Sequence, residues 1–317
     1  MSAILDRLPA LATTGVGSLP FASPADAARH ATGAYTLPFC PQLPRLDGDM
    51  ISEWLGTDPG RCGWSADRDR ERPAAWDAFL AQLAAHPPDH ATVKLQVTGP
   101  VTLAIALERG AGRIGAGADV VSLAREVAVW LAANAADQVR RLADLGLDAL
   151  LVVDEPGLAN AGVSAAETGL WDPLRSAAPA WGMHICGRVP WPLIATVELD
   201  VVSFDVPTHG LPGEARPVLE ALLHRGGRIA WGVIDPVGPE PAAEAIGRSA
   251  ACLSALANGL PLDRIAHQSL LTTSCGTGRL SPERERLIAT MLDAAARSTR
   301  DTIAALGPVR DPVPRRR

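Results

Sequence analysis

Short, uninterrupted apolar runs alternate with long amphipathic stretches from one end of this chain to the other; ALLVVD at 149–154 and IAWGVI at 229–234 are two of the runs. A strand with one wet face alternates apolar and polar residues. A continuous run needs both faces covered, as in a parallel sheet flanked by helices. Eight such strands are predicted: Ala12–Val16, Tyr35–Phe39, Val93–Thr98, Ala149–Asp154, Gly182–Cys186, Val201–Asp205, Ile229–Ile234 and Ser269–Ser274. Helical stretches are predicted over Ala74–Ala85, Val120–Leu145, Ala165–Ala177, Gly213–His224, Ala242–Asn258 and Pro282–Ala305. This alternation predicts an α/β chain folded as a single-domain (β/α)₈ TIM barrel over residues 1–307. A doubly wound sheet is disfavoured, because GVGSLP after the first strand lacks the third glycine and the helix start of a dinucleotide fingerprint. The insertion Pro41–Ala91 is expected to cap part of the barrel mouth. The tail 308–317, PVRDPVPRRR, is proline-broken and basic, and is expected to be disordered.

Charge and cysteine usage narrow the function classes. A formal net charge of −6 without a basic stripe argues against a nucleic-acid partner. No apolar run reaches the roughly 18 residues a membrane span needs, and the first residues lack a signal-peptide pattern. The 5 cysteines are odd in number and widely scattered, which suits free thiols in a reducing, cytoplasmic setting.

Polar residues gather at the predicted strand ends: Asp154 and Glu155, His184 and Cys186, Asp205, Asp235, and Cys275. In a (β/α)₈ barrel the C-terminal strand ends form the active-site face. A lone strand-end Asp would be read as a cap for the following helix. In MHICG, His184 and Cys186 stand two apart, so on a strand both would project to the same side and could reach one ion. SCGTG places Cys275 at the exit of the last strand, across the mouth from Cys186. The expected cofactor is Zn²⁺. A zinc held by two thiolates and a carboxylate is electron-rich and a poor activator of carbonyls, yet it can hold a nucleophilic thiolate. Thiol alkylation therefore fits better than hydrolysis.

From TTGVGSLP through DMISEWLG, LQVTGPVTL, VVDEPGL, MHICG and VVSFDVP to SCGTGRL, the chain resembles the catalytic barrel of cobalamin-independent methionine synthase. The wider superfamily also holds uroporphyrinogen decarboxylase, and the likeness is strongest to short, barrel-only members. The resemblance implies that His184, Cys186 and Cys275 are zinc ligands, with Asp205 where the family has a glutamate ligand. It implies that Gly17 and Ser18 touch the backbone groups of the amino-acid substrate, and that Asp154 receives its ammonium, beside Glu155.

Three departures from the family pattern stand out. Gln42 and Pro44 occupy the neighbourhood of a family glutamate. AIALE replaces the stretch carrying a folate-stacking tryptophan. Val237 lies near the place of an acid/base histidine, for which His209 is the candidate substitute. The resemblance implies methyl transfer to a thiol, with homocysteine as acceptor and methionine as product. Methyltetrahydrofolate or a methyl-corrinoid, free or on a partner protein, is the expected donor. The alternatives are corrinoid-linked transfer to another small thiol, a decarboxylase of the uroporphyrinogen type, and a non-catalytic zinc-binding barrel.

Overall fold

The computed structural model describes residues 3–69, 72–112, 119–238, 242–257 and 260–306. Seven parallel strands form one sheet: β1 (Ala12–Thr13), β2 (Thr92–Thr98), β3 (Asp148–Asp154), β4 (Ala180–Ile185), β5 (Val201–Asp205), β6 (Arg228–Ile234) and β7 (Ser269–Thr273). Their spatial order is β1-β7-β6-β5-β4-β3-β2, so the sheet curls until its first and second strands in sequence become its two edges. The expected tail at 308–317 lies outside the described residues, and among these no helix is long and apolar enough to cross a membrane.

The structure corrects the eight-strand expectation, because Tyr35–Phe39 forms no regular strand. It lies between the two edges and touches both. The Leu37 N–H donates to the Thr13 carbonyl, while Lys94 N–H donates to Pro38 and Cys40 N–H to Lys94. Only single bridges result, Phe39 with Lys94 and Ser18 with Gln42. The physical reason is local. Pro38 has no N–H to give to a ladder, and Pro41 repeats the break three residues on. Side chains supply part of what the ladder lacks. The Lys94 ammonium donates to the Val16 carbonyl at 2.5 Å and the Gln96 amide donates to the Cys40 carbonyl.

Two apolar layers hold the sheet. The strand faces turned inward pack Ala12, Leu37, Leu150, Val152, Ala180, Val201, Ala230 and Leu270 with Ile4, Leu5 and Leu8 of the leading segment. The opposite faces form the larger cluster with the helices, including Leu95, Leu151, Met183, Val202, Trp231 and Leu271. Both faces being buried is what the continuous apolar runs require, each large side chain contributing about 1.5–3 kcal/mol.

Most long helices stand where periodicity places them, at Trp76–Ala85, Val120–Ala143, Ala215–His224, Ala242–Leu256 and Pro282–Leu306. The predicted helix Ala165–Ala177 is instead a 3₁₀ stretch, Ala165–Trp171, followed by the one-turn helix Asp172–Arg175. Pro173 falls inside the predicted helix, and proline is tolerated only in a first helical turn, so a new helix starts there. Helices Pro24–Gly33 and Pro100–Gly110 were not expected from periodicity; each opens on a proline.

Candidate functional site

The sheet brings the chemistry-bearing residues to its C-terminal edge, strand by strand. Asp154 ends β3 and stands in register with His184 on β4. Asp205 ends β5, Cys186 follows β4 directly, and Cys275 stands two residues past the end of β7. His184, Asp154 and Asp205 are buried, at 4%, 5% and 7% exposure. The His184 imidazole is fixed through Nδ1, 2.9 Å from the Ser203 hydroxyl on β5. Its Nε2 is buried and has no hydrogen-bond partner. Burial, aided by the Lys94 charge, pulls the imidazole down to about 3, so it is neutral at ordinary pH.

The two thiols meet. The Cys186 thiol hydrogen-bonds the Cys275 sulfur, which raises Cys186 and lowers Cys275 to about 6. The lowered partner is the exposed one. Asp205 is oriented differently from the expectation of a free ligand: its Oδ1 accepts from the Thr208 N–H at 2.9 Å and caps the short helix Val206–His209. His209 ends that helix on the surface. Among the described residues, no three His, Cys, Asp or Glu side chains are gathered closely enough to hold an ion. The donor set nevertheless fits zinc in kind: two thiols, one of them acidified, and a neutral imidazole with a bare buried nitrogen.

The residues expected to touch a substrate separate into two groups. Gly17, Ser18 and Gln42 come together. Gln42 N–H donates to the Gly17 carbonyl, and the Ser18 carbonyl accepts from Thr277 N–H at 3.0 Å, seating this loop beside the one that carries Cys275. Gly17 is required, since a Cβ there would stand 2.6 Å from Gln42 Oε1 and 2.9 Å from Gln96 Cγ. Asp154 faces the same region with a buried, unpartnered Oδ1. Burial pushes its carboxyl up to about 8, an effect that the Lys94 charge partly offsets.

Glu155 points elsewhere. It is 0% exposed, and its oxygens accept from Val101 N–H, Thr102 N–H, the Thr102 hydroxyl and the Trp171 indole. It anchors the first turn of helix Pro100–Gly110.

The sequence motifs assign no role to three polar residues of this region. Glu53, on the helix Met50–Leu55, accepts from the Gln42 amide at 2.6 Å. Lys94 is 5% exposed, and burial pulls its ammonium down to about 8 against the attraction of Asp154. Ser203 holds His184. The signal available for Lys94 and Ser203 is a polar residue inside an otherwise apolar strand run, KLQV and VVSF.

Two of the comparisons with known proteins return nothing: no protein-family model matches the chain, and no curated protein does. The chain is similar in structure to a methyltransferase from Methanosarcina mazei, with a TM-score of 0.61 at 16% sequence identity. The alignment covers 93% of this chain and 96% of that one, so the two share their fold from end to end.

Proposed function

We propose that this chain is a zinc-dependent methyltransferase that moves a methyl group to a thiol, with homocysteine as acceptor and methionine as product. The carrying observation is the Cys186–Cys275 thiol pair at the same sheet edge as His184, whose Nε2 is bare and buried. The methyltransferase among its structural neighbours supports the reaction class, and the sequence motifs support the acceptor. We read the sheet as a (β/α)₈ barrel in which the second strand has shrunk to the bridges around Phe39.

In this reading His184, Cys186 and Cys275 hold the metal, and Asp205 serves as a fourth ligand or orients its neighbours. Bound zinc supplies the charge that keeps an acceptor thiol deprotonated near neutral pH. The protein's own work is placement. Asp154, with its unpartnered oxygen, accepts the acceptor's ammonium; the Gly17–Ser18 loop and Gln42 line its amino-acid end. Fixing the thiolate in line with the donor methyl converts a bimolecular encounter into an oriented one. His209, exposed on the loop after β5, is the residue available to protonate a leaving nitrogen. Corrinoid-linked transfer to another small thiol is the second reading, favoured by the exposed Val237 where an acid/base histidine is expected.

The test is incubation of zinc-loaded protein with homocysteine and either methyltetrahydrofolate or methylcobalamin, reading methionine formed. Absence of product from both donors, in protein with about one zinc per chain, overturns the homocysteine assignment.

A further inference from the structure

His184 and Ser203 are next to one another across the β4–β5 ladder, where they are register partners. Both are buried, at 4% and 6% exposure, and both line a small internal cavity with Lys94, Thr14 and Thr272. A histidine buried among strands has two ways to share one proton with one hydroxyl. With the proton on Nε2, that N–H is a donor sealed away from any acceptor, in the field of the Lys94 ammonium. With the proton on Nδ1, the N–H donates to Ser203 Oγ, and the buried Nε2 carries a lone pair instead of an unsatisfied donor. The Ser203 hydroxyl proton then turns to the cavity. There Thr272 Oγ1 also has no partner. The cavity, of about 10 Å³, is at the scale of one water molecule.

We propose that Ser203 is the positioning residue that fixes His184 as its Nδ1–H tautomer, so that Nε2 is presented as a ready metal-binding nitrogen. The inference deepens the zinc reading and in part rests on it: the tautomer belongs to the metal-free protein, and its use belongs to the metal site. A ligand nitrogen whose other ring N–H is held needs no proton rearrangement when the ion arrives, and outer partners of this kind are worth about 10–100-fold in metal affinity.

The experiment has two arms on the full chain. In the first, ¹⁵N NMR of ring-labelled metal-free protein, with His184 assigned by His184→Gln, reports which ring nitrogen carries the proton. Protonated Nδ1 in the wild type, shifting to protonated Nε2 in Ser203→Ala and restored in Ser203→Thr, is the expected result. Protonated Nε2 in the wild type, or an unchanged tautomer in Ser203→Ala, overturns the inference.

In the second arm, zinc competition against a chelator reads a loss of affinity of about 10–100-fold in Ser203→Ala with recovery in Ser203→Thr. Equal affinity in all three proteins overturns the positioning role. A wild type that holds the Nδ1–H tautomer and binds no zinc separates the two claims: it sinks the zinc reading and the proposed use of Nε2, and leaves Ser203 as what sets the tautomer. Thermal unfolding of each variant identifies any loss of fold.

Discussion

At the scale of single residues, the site is defined by which groups are free and which are occupied. The soft donors are Cys186, Cys275 and the bare Nε2 of His184. A hydroxyl does not replace a thiolate on zinc. Metal analysis is therefore expected to find about one zinc per chain in wild-type protein and to find it lost in Cys186→Ser and Cys275→Ser; full occupancy in the double variant contradicts the assignment. Asp205 is less free, because Thr208 already occupies one of its oxygens. Asp205→Asn should weaken zinc binding by about 10–100-fold if the carboxylate binds or orients a ligand. An unchanged affinity reduces Asp205 to a helix cap.

The thiols also differ from one another in a way that chemistry can read. Cys275 is lowered to about 6 by its bond to Cys186, whereas burial pushes Cys252 up to about 12. In metal-free protein at neutral pH, iodoacetamide is expected to label Cys275 before Cys186 and Cys252, because the thiolate is the nucleophile. The labelling rate should climb as pH rises through about 6 and then level off. Peptide mapping that finds Cys186 or Cys252 modified first would refute the pairing.

At the scale of elements, Glu155 ties the end of β3 to the start of helix Pro100–Gly110. A Cβ at Gly99 would stand 2.0 Å from the Glu155 carboxyl carbon, so the junction has no spare room. Glu155→Ala leaves buried N–H groups of Val101 and Thr102 without acceptors, and a loss of about 1–3 kcal/mol in urea unfolding is expected. A change within a few tenths of a kcal/mol would mean that water or a neighbour replaces the carboxylate.

Burial raises the Glu155 carboxyl above its usual range, its hydrogen bonds notwithstanding. The sign follows from linkage. The stability that this raised group contributes is complete below the ordinary glutamate range. It is lost as pH rises through the folded value. Wild type should therefore lose ground to Glu155→Gln, which cannot ionise, as pH rises above the ordinary glutamate range. A wild type that gains stability relative to Glu155→Gln over that rise has the wrong sign for this account.

At the scale of the whole molecule, the choice of methyl donor depends on what surrounds the mouth. A folate donor needs an aromatic surface for its pterin and an acid for the departing nitrogen. AIALE lies within helix Pro100–Gly110 without an aromatic residue, and Val237 stands 82% exposed after β6. A corrinoid requires neither, since cobalt leaves without a proton. Methylcobalamin is accordingly expected to support faster methyl transfer than methyltetrahydrofolate in side-by-side turnover. Robust folate-dependent methionine formation, abolished in His209→Ala with zinc retained, would reverse this expectation and assign His209 as the acid.

The sequence by itself determined the layered α/β architecture. A run such as ALLVVD is stable only with both faces covered, and that requirement is local and readable. It also placed His184, Cys186, Asp205 and Cys275 at strand ends, because parallel strands all run the same way and their ends share one edge. What periodicity could not reveal is where pairing fails: Pro38 removes a donor, and only the positions of β1 and β2 show that the surrounding segment touches both edges through isolated bonds. Nor could the chain tell two adjacent carboxylates apart. Asp154 keeps a free oxygen at the site, whereas Glu155 turns to the helix at Pro100, because successive residues at a strand end project in opposite directions. The meeting of Cys186 with Cys275 joins the ends of strands far apart in sequence, and that of Ser203 with His184 depends on the register of β4 against β5. Those contacts are set by how the sheet curls.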